Sequence, residues 1–146
     1  MSVSTRDRAT VTVALAVVLA MWSAVVMRTP ARACGHCIED KVAATYDYGV
    51  LTRAARDGHV VVFADVRGPA AGAGPALKSF IARTLASTSG IDVGTVRVSL
   101  DPPAASFACD PARHAPSALL DAVNPQLATK GLRLAVIKID HGPQRK

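Results

Sequence analysis

Aromatic residues are scarce in this chain: one tryptophan, two tyrosines and three phenylalanines, 4% of 146 residues. The basic residues are scattered rather than clustered. Together these absences argue against a base-stacking platform and a phosphate-tracking surface, so nucleic-acid binding is not expected. Catalytic constellations are missing too. There is no Ser-His-Asp set, and the glycine-rich "GPAAGAGP" at 68–75 lacks the lysine and hydroxyl of a phosphate loop at their spacing. Cysteine is limited to Cys34, Cys37 and Cys109. An odd number leaves at least one thiol unpaired, shared or metal-bound.

Charge is absent from residues 9–27, "ATVTVALAVVLAMWSAVVM". Arg6 and Arg8 precede this run, and Thr29-Pro30-Ala31-Arg32-Ala33 follows it. A basic start, an apolar centre and an Ala-x-Ala end make a secretory signal peptide, with cleavage expected after Ala33. The protein is then periplasmic or secreted. The run is also long enough for a membrane span, and Arg28 at its end suits a retained anchor, so attachment through 9–27 is the alternative. Arg32 argues against a lipoprotein signal. Loss of 1–33 removes four arginines and one aspartate, which takes the formal net charge from +6 to +3. The remaining 34–146 suffices for one domain. All three cysteines lie in this exported part, where the compartment is oxidising.

Four segments follow from the periodicity. Residues 34–58 carry Cys34-Gly35-His36-Cys37 and then a helix over 38–57, with Ile38, Val42, Tyr46 and Val50 recurring every four residues and Gly58 as its stop. From His59 to His141 the order is β-α-β-β-α-β. "HVVVFADV" (59–66) reads as a central strand, "ALKSFIARTLAST" (76–88) as a helix, and "TVRVSL" (95–100) and "AASFACD" (104–110) as strands around a "DPP" turn. "PSALLDAVNPQLATKG" (116–131) reads as a helix capped by Ser117 and kinked at Pro125, and "LRLAVIKID" (132–140) as the last strand. The tail 142–146 is polar. This order predicts an α+β, ferredoxin-like antiparallel sheet of four strands with both helices on one face, preceded by the Cys-x-x-Cys helix. Val61, Phe63, Leu77, Ile81, Val98, Phe107, Leu120 and Val136 are the expected core.

A small exported βαββαβ domain with a Cys-x-x-Cys resembles the heavy-metal-associated domains of copper and mercury carriers, over about residues 59–140. The resemblance implies metal binding, but that family holds its cysteine pair in the loop after the first strand. Here that loop, "VRGPAAGAGPAL", has no cysteine, so the family's ligands do not transfer. Cys-Gly-His-Cys also resembles the active-site tetrapeptide of protein disulfide isomerases. A thioredoxin-like layout would require a permuted fold, with 59–66 paired parallel to 132–139.

Three chemistries are therefore open for Cys34 and Cys37. As thiolates they can hold a soft metal ion, Cu(I) first, with His36 as an accessory ligand. After cleavage at Ala33, the new amine, two backbone amides and the His36 imidazole would also offer a square-planar nitrogen set for Cu(II) or Ni(II). As a redox couple, Cys34 would attack and Cys37 resolve, helped by the positive end of the helix that follows. As a disulfide, they would staple the first turn of a non-catalytic adaptor. The partners implied are the metal ion and a protein that receives it or exchanges disulfides. Cys109 follows Phe107 on an apolar strand face and reads as a buried thiol. The alternative for it is a second site at one sheet edge with His59, His114 and His141.

Overall fold

The structure, a computed structural model, describes residues 37–142. The expected leader 1–33 lies outside the described residues, as do Cys34, His36 and the tail 143–146. The elements run α1 (Ile38–Ala44), α2 (Tyr48–Asp57), β1 (Val60–Arg67), α3 (Pro75–Ala86), β2 (Arg97–Leu100), β3 (Pro103–Cys109), α4 (Pro116–Ala128) and β4 (Arg133–Asp140). The strands form one sheet in the order β2-β3-β1-β4, every neighbouring pair antiparallel. This is the expected ferredoxin-like arrangement. The antiparallel β1–β4 pairing excludes the permuted thioredoxin-like layout.

Strand alternation sorts the apolar residues onto two faces. Val60, Val62, Ala64 and Val66 of β1 join Phe107, Ile81, Leu85, Leu120, Val123 and Leu134 in the larger core, under α3 and α4. Ile81, Val98, Phe107 and Leu120 are buried there as expected, and Leu77 packs partly against them. Val61 and Phe63 are also buried, but they point the other way, into a second cluster with Val50, Leu51, Ala54 and Ala108. Both faces of β1 are therefore covered, which is why its sequence is a nearly unbroken apolar run.

The second layer is made by α1 and α2, and here the single helix expected over 38–57 is corrected. The chain breaks at Thr45–Asp47. Asp47 takes an extended conformation, and its side chain accepts the Val50 N–H at 3.0 Å, starting α2 afresh. A cap of this kind outcompetes helix continuation. The four-residue row fails with it: Ile38 is 53% and Tyr46 54% exposed. Ser117 is not a cap either. Pro116 takes the first helical position, which suits its missing N–H, and Ala115 precedes it without a side-chain cap bond. Pro125 is accommodated inside α4.

At the edge, β4 carries a bulge: Phe63 pairs with Lys138 while Ala64 pairs with Val136, leaving Ile137 extra. Val136, expected in the core, is 40% exposed, because it lies on an outer strand next to this irregularity. The loop after β1 is mostly exposed but is pinned at Gly68 and Ala70. A Cβ on Gly68 would meet the Gly131 carbonyl oxygen at 2.3 Å, and Ala70 is fully buried in the larger core. No described helix is long and apolar enough to cross a membrane.

Candidate metal centre at the amino-terminal helix

Cys37 is the described member of the cysteine pair. It precedes α1 in an extended conformation and is exposed. Its carbonyl accepts the Lys41 N–H at 3.3 Å, while its side chain makes no capping bond, so the thiol is not committed to the helix end. Glu39 and Asp40 occupy the first turn, as the macrodipole favours.

Polar contacts fix α1 on the sheet. Lys41, one turn after Cys37, pairs with Asp65 of β1 at 2.5 Å, the two side chains being 12% and 15% exposed. Arg67 Nε donates to the other Asp65 oxygen at 3.2 Å. At the far end of α1, the buried Ser106 hydroxyl donates to the Thr45 carbonyl at 2.8 Å. Beyond it, Arg97 holds Asp47 through two bonds of 3.0 and 2.9 Å. The Asp47 carboxyl lies below the ordinary carboxylate range, first because of the Val50 N–H and then because of Arg97. Asp65 reads in the sequence as a polar residue entering a loop. Its one signal is its place near the end of an otherwise apolar central strand. Beside α1 lies an apolar depression of about 490 Å³, lined by Ile38, Val42, Ala43 and Tyr46 with Glu39 and Lys138.

The second site considered for the sheet edge does not form. Cys109 is fully buried, and burial pushes its thiol up to about 11, with Asp92 and Asp110 adding to the effect. His59 Nδ1 is engaged with Asp92 Oδ2 at 2.6 Å. His114 lies over Gly90, where a Cβ would come within 2.6 Å of its ring. His141 is exposed. Among the described residues no group of three or more His, Cys, Asp or Glu side chains is disposed to hold a metal ion.

The class defined here is a ferredoxin-like α+β domain with an added helical layer. The resemblance to heavy-metal-associated domains read in the sequence therefore holds at the level of the fold. No protein-family description and no curated protein matches the chain. Among solved structures, it is similar to the N-terminal domain of PacS from Synechocystis PCC6803, with 22% identity, a TM-score of 0.39 and coverage of 53% of this chain and 97% of that one. It is also similar to oxidized MerP from Ralstonia metallidurans CH34, with 20% identity, a TM-score of 0.41 and coverage of 55% and 99%.

Proposed function

We propose that this is an exported soft-metal-binding protein, copper first, that binds or delivers its ion through Cys34-Gly35-His36-Cys37. The observation that carries this reading is the contrast between two thiols. Cys37 is exposed at the start of α1, whereas Cys109 is sealed in the core with its proton held to about pH 11. Only a thiol open to solvent can pass an ion to a partner by ligand exchange. Cys34 and Cys37 act as thiolate ligands and His36 as the accessory donor, a soft set suited to Cu(I). The cargo is the metal ion, and the recipient is a metal-transfer partner protein.

The test is titration of the reduced protein with Cu(I) against a competing chelator, run beside an insulin-reduction assay. Stoichiometric binding lost in Cys34→Ser and Cys37→Ser, but kept in Cys109→Ala, is the expected result. Turnover in the insulin assay with only weak binding would assign the pair to thiol-disulfide exchange instead. Export is tested separately, by the intact mass of protein from its native envelope. A mass beginning at Cys34 is expected, and one that retains Met1 overturns the cleavage and with it the nitrogen set at Cys34-Gly35-His36.

A further inference from the structure

α1 leaves an apolar stripe open to solvent. Ile38, Val42 and, just past the helix end, Tyr46 line one side of the depression of about 490 Å³. Ile38 and Tyr46 are each more than half exposed. The stripe reads alike in both directions, because a large apolar residue stands four positions before Val42 and another four positions after it. A second copy laid antiparallel on the first, about a two-fold axis at Val42 and the small Ala43, sets Ile38 of each chain against Tyr46 of the other.

The charges follow the same symmetry. Glu39 and Lys138 are the charged residues bordering the depression. The sheet register fixes the level of Lys138. Phe63 pairs with Ser106 on one side and with Lys138 on the other. The Ser106 hydroxyl donates to the Thr45 carbonyl, so Lys138 lies level with the carboxy-terminal end of α1. Glu39 stands three residues before Val42, and Thr45 three residues after it. The two-fold axis therefore brings Glu39 of one copy to the level of Lys138 of the other. Among the described residues Glu39 has no ion-pair partner. Lys138 pairs with Asp140 at 2.8 Å and is 48% exposed, and an ammonium group has two further donors to give.

We propose that two copies of this chain associate through the α1 depression as a two-fold dimer. The same patch serves both partners, so every contact is made twice. The apolar stripe forms the centre and two Glu39–Lys138 pairs form the rim, the usual division of a protein interface. A patch made of one short helix and one strand is small, so the dimer is weak and depends on concentration. The antiparallel helices keep the two Cys37 residues at opposite outer ends of the pair. The association therefore needs neither a metal ion nor a disulfide, and it stands apart from the reading of the cysteine pair.

Sedimentation equilibrium of the protein isolated from its native envelope tests this. A thiol reductant and a chelator are present, so that cross-chain disulfides and bridging ions do not contribute. The wild type should show a monomer–dimer equilibrium that weakens as salt is raised. Glu39→Lys alone and Lys138→Glu alone should each weaken the dimer about tenfold or more, because each reversal is felt twice. The two reversals together should restore association to near the wild-type value, which a mere folding defect would not do. Tyr46→Asp should abolish the dimer. Glu39 and Tyr46 are exposed, so their variants should keep the wild-type unfolding midpoint. A monomer at up to about 1 mM, where even weak association registers, overturns the proposal. So does a dimer indifferent to Glu39→Lys and Tyr46→Asp, or one that the double reversal fails to restore.

Discussion

α1 and α2 cover the same face of the sheet, yet they are held there by different forces. α2 buries Val50, Leu51 and Ala54 against Val61, Phe63 and Ala108. It is capped by Asp47 and closed by Gly58 in the left-handed region at φ 76°. α1 has seven residues and buries none of them; only Val42 leans on the apolar cluster. Its fixation comes from the Lys41–Asp65 ion pair and the Thr45–Ser106 hydrogen bond. A helix this short does not persist by itself in water. Apolar burial gives α2 a deep and non-directional hold. Directional polar contacts give α1 a defined seat that is released at lower cost, and α1 is the helix preceded by the exposed Cys37. Local openings in proteins are drawn from segments of this second kind.

The contrast can be broken or sharpened by substitution. The largest effect is expected from Leu51→Ala. Leu51 is 5% exposed, and its removal opens a cavity under α2 at a cost of about 3 kcal/mol. The readout is a lower urea midpoint with an unchanged slope, and a loss below about 1 kcal/mol would erase the distinction between the helices. Next comes Lys41→Met, which removes the ion pair but leaves Asp65 its bond to Arg67. Its cost should be about 1–2 kcal/mol, and amide exchange should quicken in 38–44 while α2 keeps its protection. Equal acceleration in both helices would show that they open as one unit.

Asp47→Ala should lower stability through the lost cap, by less than Lys41→Met. Its acid dependence has a defined sign. A carboxyl held below its ordinary range stabilises the fold above the unfolded value, and that contribution fades as pH falls through the folded value. Asp47→Asn keeps the cap and loses the charge. Its stability deficit should be constant from neutral pH to about pH 4 and vanish on further acidification. The smallest effect is expected from Ile38→Ala. At 53% exposure it should shift stability by less than about 0.5 kcal/mol.

Much of this architecture is legible in the amino-acid sequence. The strand order follows from the alternation of hydrophobic segments and turns, and Ile81, Phe107 and Leu120 declare their faces by spacing. β1 does not. In "VVVFADV" both alternating phases are apolar as far as Asp65, so the spacing alone does not say which layer Val62 serves and which Phe63 serves. The break at Thr45–Asp47 is hidden for a related reason. The apolar row from Ile38 to Val50 continues in sequence across a residue whose side chain caps a new helix. Val136 is misplaced by its pattern because a bulge is a property of pairing between two strands, and neither strand shows it alone. For the candidate site, the exposed position of Cys37 and the burial of Cys109 can be read from local pattern. The anchoring of α1 through Lys41 and Asp65 cannot, because those residues are 24 positions apart.

The bulge at Ile137 has a consequence for how copies of this protein meet. β4 is an outer strand of eight residues. Its outer row of backbone groups is a template on which a second chain could add, the first step toward domain swapping or fibrous assembly. The extra residue throws that row out of register midway, and Lys138 beside it adds a charge that an incoming strand must desolvate. The template is thereby interrupted midway along the strand. Bulges and edge lysines are among the devices by which exposed strands resist pairing with a second chain, and β4 carries both.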